Sequence, residues 1–93
     1  MIQTFGDPDA RRLFERRFVK RLAHLAEIAL RRLAALDAAK KLSDLRIPPS
    51  NRLEALAGDR RGQHSLRIND QYRICFRWRE GNAYDVEISK HYR

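Results

Sequence analysis

The sequence predicts an α+β fold in which an N-terminal helical pair packs on a small, mainly antiparallel β-sheet. Two observations support this prediction. From residue 8 to about residue 41, apolar side chains recur every three or four positions, which is the spacing of amphipathic helices. From residue 64 onward, apolar and polar side chains alternate, which is typical of half-buried strands. A chain of 93 residues is the size of one domain, so residues 1–93 are predicted to fold as a single unit.

The N-terminal part of the chain carries a helix-start signal and a long apolar stripe. Residues 2–5 are predicted to form a short first strand. Asp7 is predicted to cap the first helix, with Pro8 at the first helical position, where a residue without a backbone N–H is tolerated. Because the stretch is longer than an average helix, two helices are expected, with a break near residues 19–22. The stripe consists of Phe14, Phe18, Leu22, Leu25, Ala29, Leu33 and Leu36.

The middle of the chain is predicted to be a connector followed by a strand. Residues 43–45 are expected to form a short helical turn. Residues 47–51 contain two prolines, which lack a backbone donor, so this segment cannot be regular helix or central strand. Residues 52–57 are predicted to form a strand, and residues 58–62 a turn.

The register of the first hairpin follows from its alternation. A three-residue loop at residues 69–71 keeps all apolar side chains on one face, whereas a two-residue loop would mix the faces. In this register Arg67 lies directly opposite Arg73 on the polar face. Like charges in that position destabilise a sheet, and a bound anion would relieve the repulsion. The apolar face then pairs Ile68 with Tyr72, Leu66 with Ile74, and His64 with Phe76.

The second hairpin is predicted to turn at residues 80–82. In that register Arg77 lies opposite Asp85, which is an ordinary cross-strand ion pair. The apolar pairs are Trp78 with Tyr84, Phe76 with Val86, and Ile74 with Ile88. These aromatic side chains, together with Tyr72, are interpreted as core residues rather than as stacking platforms for bases.

The two registers bring a group of polar residues to one corner of the sheet. Arg73 faces Ser89, and His91 follows two residues later on the same face, so these three are expected to cluster with Arg67. Neither arginine faces a carboxylate. Two guanidinium groups can hold a phosphate, and an imidazole can transfer protons near neutral pH. Such a site suffices for metal-free RNA cleavage by the ribose 2′-OH, although a solvated arginine face without a ligand is the alternative interpretation.

The composition of the chain indicates what kind of partner it binds and which kinds of site it lacks. The formal net charge is +8, and each half of the chain has ten Lys/Arg against six Asp/Glu, so the whole domain is basic and an anionic partner is expected. The single cysteine, Cys75, excludes an internal disulfide and receives no catalytic role. The histidines and carboxylates show no metal-ligand spacing, so no metal or other cofactor is expected. No signal peptide or membrane-length apolar segment is present, which favours the cytoplasm and no membrane contact.

Three strings carry a family resemblance: LRIPPSNRLEAL, GDRRGQHSLRINDQYRICFRW and AYDVEI. They resemble the HigB toxins, the plasmid-maintenance killer branch of the RelE/ParE superfamily, and the resemblance extends over essentially the whole chain. It implies a toxin of a type II toxin–antitoxin system that cuts mRNA on the translating 70S ribosome, in the A site on its small subunit. It also implies a HigA-type helix-turn-helix antitoxin as partner, with DNA bound only through the antitoxin complex.

The resemblance also suggests roles for individual residues. Arg73 falls on the phosphate-contacting arginine of the family, and His91 is expected to be the general acid, assisted by Tyr92. Many members end in Asp-Tyr-His, whereas this chain has Lys90-His91-Tyr92, with histidine and tyrosine in the reverse order. The expected catalytic residues are Arg67, Arg73, His91 and Tyr92, and the expected RNA contacts are Arg60, Arg61, Arg77 and Lys90.

Two other functions stay open from the sequence. A ParE-like inhibitor of DNA gyrase would use the same fold without needing His91. An inactive RNA- or antitoxin-binding module is compatible with the reversed tail and with strand 52–57, which lacks the lysine and histidine of other members. In that strand Glu54 is the one candidate for a general base.

Overall fold

The computed structural model describes residues 1–90 and has the predicted α+β architecture. Two helices pack on one face of a four-stranded antiparallel sheet in which strand order follows chain order. The helices are α1 (Pro8–Phe14) and α2 (Ala26–Ala38), and the strands are β1 (Glu54–Ala55), β2 (His64–Arg67), β3 (Tyr72–Arg79) and β4 (Asn82–Lys90). Short 3₁₀ helices span Lys20–Leu25, Leu42–Arg46, Pro49–Asn51 and Gly58–Arg60. Among the described residues, no helix has the length and apolar character needed to cross a membrane.

The first helix begins as predicted and ends earlier than predicted. The Asp7 carboxylate accepts a hydrogen bond from the Asp9 N–H at 2.9 Å, and Pro8 occupies the first turn. The helix ends at Phe14 because Arg16 adopts a left-handed conformation with φ of 66°. The interruption between the two α-helices contains the expected break at residues 19–22 but begins earlier, and Lys20–Leu25 is a 3₁₀ helix that leads directly into α2. As a consequence Phe18 leaves the stripe and is 80% exposed.

The hydrophobic core lies between the helices and the apolar face of the sheet. It is a single cluster, and its largest fully buried side chains include Phe76 of β3, Leu33 of α2 and Leu66 of β2. Full burial of one such side chain stabilises the fold by about 1.5–3 kcal/mol. The opposite face of the sheet, turned away from the helices, is called the front face below.

Both edges of the sheet depart from simple strands. Residues 2–5 pair with β4 in parallel, as isolated bridges from Ile2 to Ala83 and from Phe5 to Val86. The predicted strand 52–57 shrinks to β1, since Arg52 has a left-handed φ of 45°. The expected turn at residues 43–45 lies within the 3₁₀ helix Leu42–Arg46.

The first hairpin has the predicted register. Arg67 lies opposite Arg73, and His64 lies opposite Phe76. The loop is held by Asn69, whose side-chain oxygen accepts hydrogen bonds from the backbone N–H groups of Gln71 and Tyr72, both at 2.8 Å.

The second hairpin has the predicted register only near its open end. Arg73 lies opposite Ser89, as expected, but the turn has two residues, not three. Glu80 and Gly81 have φ values of 49° and 79°, and positive φ at both central positions defines a type I′ turn. The shorter turn leaves one extra residue in β4. A β-bulge accommodates it between the Cys75–Glu87 and Arg77–Tyr84 pairs, where Asp85 has a φ of 54°.

The bulge changes which side chains of β4 face the core. Arg77 pairs with Tyr84 instead of Asp85, and Trp78 pairs with Ala83 instead of Tyr84. Ala83 is fully buried, whereas Tyr84 is only partly buried on the front face. The prediction that Tyr84 is a core residue is therefore wrong, because one inserted residue reverses the faces of the segment beyond it.

Candidate functional site

Arg73 is the central residue of the predicted corner. It lies on the front face of β3, between Arg67 on β2 and Ser89 on β4, as the registers predict. These three residues are called the basic corner below. The Arg73 Nε is buried and has no hydrogen-bond partner within residues 1–90, and none of the ion pairs formed there involves this guanidinium. Leaving a buried donor unpaired costs about 1–3 kcal/mol, so the site is suited to an acceptor such as a phosphate oxygen.

Arg67 is less free than its register position suggests. Arg67 lies opposite Arg73 and not opposite a carboxylate in the sheet, as expected, but its guanidinium forms an ion pair with Asp70 in the hairpin loop. The alternation pattern could not show this contact, because Asp70 lies in the loop and not on the neighbouring strand. The Arg67 carbonyl accepts a hydrogen bond from Arg32 Nε at 3.1 Å, which joins α2 to the basic corner. Burial, followed by repulsion from Arg31, lowers the pKa of the Arg32 guanidinium.

Arg60 reaches the basic corner from the turn before β2. It forms an ion pair with Glu87 and donates hydrogen bonds to Gln63 Oε1 at 3.0 Å and to Ser89 Oγ at 3.3 Å. Burial lowers the pKa of the Arg60 guanidinium, but the hydrogen bond to Glu87 and the charge interactions with Cys75 and Glu87 together raise it above its ordinary value. Sequence reasoning placed Arg60 among general RNA contacts and missed this network. The sequence held one indication of this network: Glu87 precedes Ser89 by two residues, so alternation places its carboxylate on the same face of the sheet.

An open cleft of about 340 Å³ lies beside these groups, lined by Arg60 and Arg73 and by the segment before them, including Leu56, Ala57 and Asp59. Two guanidinium groups therefore face one solvent-accessible space. Such an arrangement can hold a phosphodiester from two sides.

Cys75 lies beneath the basic corner and is fully buried. Burial raises the pKa of its thiol, although the nearby charges of Arg60 and Arg73 oppose the rise. Burial therefore favours the neutral form of the thiol.

The other expected RNA contacts lie around this site. Arg61 and Lys90 are exposed, and the Lys90 ammonium is 5.9 Å from the centre of the Tyr72 ring. Arg77 contacts Asp85 at 3.6 Å, so the expected ion pair forms even though the two residues are not directly opposite. His91 and Tyr92, the expected general acid and its assistant, lie outside the described residues.

A second cleft, of about 540 Å³, lies near the turn of the second hairpin. Arg77, Arg79 and Tyr84 line it, with Thr4 and Gly62 at its margins. The Arg79 guanidinium lies over the Tyr84 ring, 4.3 Å from the ring centre, which is a cation–π contact. This cleft is called the tip cleft below. Sequence reasoning missed it, because the alternation alone assigned Tyr84 to the core.

Metal binding has no support in the described part of the chain. Within residues 1–90 no three His, Cys, Asp or Glu side chains are grouped so that they could hold a metal ion.

A fold of two helices on an antiparallel sheet, with arginines converging at one corner of its front face, defines a small basic α+β protein suited to bind phosphates. A family model described as "RelE-like toxin of type II toxin-antitoxin system HigB" matches residues 3–91. The chain therefore belongs to the HigB-like toxin family, as the motif strings predicted.

Two curated proteins and a solved structure are similar to this chain. Toxin HigB-1 of Vibrio cholerae is 49% identical over 61 residues, which cover 66% of this chain and 64% of that protein. An uncharacterized protein of Haemophilus influenzae is 29% identical over 69 residues, covering 74% of this chain and 68% of that one. In a YoeB–YefM complex from Staphylococcus aureus, one chain matches with a TM-score of 0.57 at 16% identity, over 99% of both chains. At that identity the match supports the fold alone.

Proposed function

We propose that this protein is a ribosome-dependent mRNA endoribonuclease that inhibits translation as the toxin of a type II toxin–antitoxin pair. The observation that carries the proposal is Arg73, whose buried Nε has no partner within residues 1–90 and whose side chain lines a cleft shared with Arg60. Membership of the HigB-like family supports the same activity. The net charge of +8 suits a nucleic-acid substrate.

In the proposed reaction the ribose 2′-hydroxyl loses its proton to water, its oxygen attacks the adjacent phosphorus, and the bond from phosphorus to the 5′-oxygen breaks. Arg73 binds the phosphate and stabilises the charge that develops on its oxygens. Arg60 acts from the other side of the cleft, and Arg67 contributes less because it shares its charge with Asp70. His91, with Tyr92 assisting, gives a proton to the leaving 5′-oxygen. The products are a 2′,3′-cyclic phosphate and a 5′-hydroxyl.

The carboxylates near the site have different roles in this proposal. Glu87 forms an ion pair with Arg60, so its role in this proposal is to position Arg60. Glu54 lies opposite Ser65 in the outer strand and is exposed. It is two strands away from Arg73, so it is poorly placed to accept the proton of the 2′-OH.

The exposed basic residues Arg61 and Lys90, with Arg77, contact phosphates of mRNA and ribosomal RNA in the A site of the ribosome. These contacts are sequence-independent and weaken as salt is added. The protein partner is a HigA-type helix-turn-helix antitoxin, and DNA is bound only through the complex with it. The family description, which names a type II toxin–antitoxin system, supports this partner.

Expression of Arg73→Ala and His91→Ala tests the proposal, with growth arrest and primer extension of cellular mRNA as readouts. Arg31→Ala is the matched control, because Arg31 is an exposed arginine on α2 whose ion pair with Glu27 is also exposed. Wild type and Arg31→Ala are expected to cut mRNA and arrest growth, and both site variants are expected to do neither. Site variants that cut and arrest like wild type would refute the site, and an SOS response with intact mRNA would favour a gyrase inhibitor instead.

A further inference from the structure

The tip cleft owes its shape to the β-bulge at Asp85. Without the bulge, alternation along β4 would turn Tyr84 toward the core, opposite Trp78. With it, Tyr84 lies opposite Arg77 on the front face, where it lines the cleft. Bulges often re-aim a side chain beside a functional site, and here the side chain that is re-aimed is aromatic.

Within residues 1–90, the ion pairs around the tip cleft leave Arg79 without a carboxylate partner, beside an aromatic ring. Arg77 is balanced by Asp85 at 3.6 Å. Arg79 is exposed and takes part in none of the ion pairs formed within residues 1–90; its contact is the face of Tyr84. The Arg79 guanidinium therefore lies on one face of the Tyr84 ring, and the two form a stack that a further planar group can extend. Nucleobases stack on both groups, and a nearby cation attracts the phosphate backbone.

The tip cleft lies on the same face as the basic corner. Arg73 and Arg77 are four residues apart on β3, which is about 13 Å at the rise of a strand. That span corresponds to a few nucleotides of a single strand. A volume of about 540 Å³ is within the range of small-molecule sites and accommodates a base.

We propose that the tip cleft is a base-stacking subsite, in which Tyr84 and Arg79 hold an unpaired mRNA base a few nucleotides from the scissile phosphate. This inference rests on the proposed function. The subsite helps to determine where the mRNA is cut, and its residues are separate from those that take part in the reaction. Tyr84 and Arg79 are positioning residues, since neither reaches the reacting phosphate.

The experiment measures ribosome-dependent cleavage with wild type, Tyr84→Phe, Tyr84→Ala and Arg79→Gln. Phe18→Ala is the control for the loss of an exposed aromatic side chain, and Arg31→Gln is the control for the loss of an exposed arginine. Tyr84→Ala is expected to lower kcat/KM roughly 5- to 150-fold, which corresponds to about 1–3 kcal/mol for one stacked base. Tyr84→Phe and both controls are expected to match wild type, and Arg79→Gln to fall between.

A second arm replaces single mRNA nucleotides near the cut site by abasic ones. At one position, loss of the base is expected to slow wild type by the same factor as Tyr84→Ala, and to leave Tyr84→Ala unaffected. A purely structural role for Tyr84 would give no such position. If Tyr84→Ala fails to fold, the abasic series with wild type and Arg79→Gln decides the question.

A third arm separates this inference from the proposed function. The Trp78 indole packs against the core, so the probe is a short single-stranded RNA that carries the fluorescent base 2-aminopurine. Titration with protein is expected to change the fluorescence of that base for wild type and Phe18→Ala, but not for Tyr84→Ala. If wild type binds RNA in this way and cuts no mRNA, the proposed function fails and the subsite stands. If wild type and Tyr84→Ala give the same fluorescence change, the proposed subsite is refuted.

Discussion

The pair formed by Arg60 and Glu87 allows a quantitative test of how the basic corner is organised. The side chains are 30% and 27% exposed, so the pair is intermediate between a surface and a buried ion pair. Exposed pairs contribute about 0–1 kcal/mol to stability, and removing one partner of a buried pair costs about 3–5 kcal/mol. We therefore expect Glu87→Gln to lower the free energy of unfolding by about 1 kcal/mol, which lowers Tm by about 4–8 °C in a domain of this size.

A double-mutant cycle with Arg60→Ala, Glu87→Gln and the double variant measures the coupling, and thermal unfolding is the assay. We expect a coupling energy of about 1 kcal/mol, since the two residues are in contact. In the cleavage assay, Glu87→Gln is expected to retain more activity than Arg60→Ala, because a glutamine oxygen still accepts a hydrogen bond from Arg60. A coupling energy of zero, or a Glu87→Gln variant less active than Arg60→Ala, would refute the view that Glu87 only positions Arg60.

Two further predictions concern the connector and the pH dependence of stability. The buried Asn51 donates hydrogen bonds to the carbonyls of Leu45 and Ile47, so Asn51→Ala is expected to cost about 2 kcal/mol in urea unfolding; an unchanged midpoint would show that these bonds contribute nothing. Asp44 accepts hydrogen bonds from the backbone N–H groups of Lys41 and Lys40, which hold its pKa below the usual 3.8. Its contribution to stability is complete above pH 3.8 and is lost as the pH falls through the lowered pKa, so Asp44→Asn is expected to flatten the acid limb of the stability curve below that pH. Parallel acid limbs for the two proteins would contradict this assignment.

Local patterns predicted most of the fold. Asp7 and Pro8 fixed the start of α1, because a cap and a proline act within one turn of the chain. The first hairpin was correct because a buried face admits one register, and Asn69 closes the loop that this register requires. The end of α1 was missed, since the apolar spacing continues through Phe18 although the backbone turns at Arg16.

Within the candidate site, the positions of residues on the strands were predictable from the sequence. The opposition of Arg67 and Arg73 and the pairing of Arg73 with Ser89 follow from alternation, which depends only on the two-residue period of a strand. Contacts from loops were not predictable in this way. Asp70 pairs with Arg67, and Arg60 crosses to Glu87, through side chains whose positions no periodicity specifies.

The helical pair, the antiparallel sheet and the arginines of its front face could be read from the sequence, because they depend on local spacing and on the burial of one apolar face. The packing of distant segments sets which arginines are paired with carboxylates. Arg67 and Arg77 are balanced by carboxylates, whereas Arg73 has no partner within residues 1–90. The tertiary structure also decided that Tyr84 faces outward, since the two-residue turn at Glu80 and Gly81 leaves one extra residue that the strand accommodates as a bulge. Neither outcome follows from periodicity, because each depends on where side chains from distant segments meet.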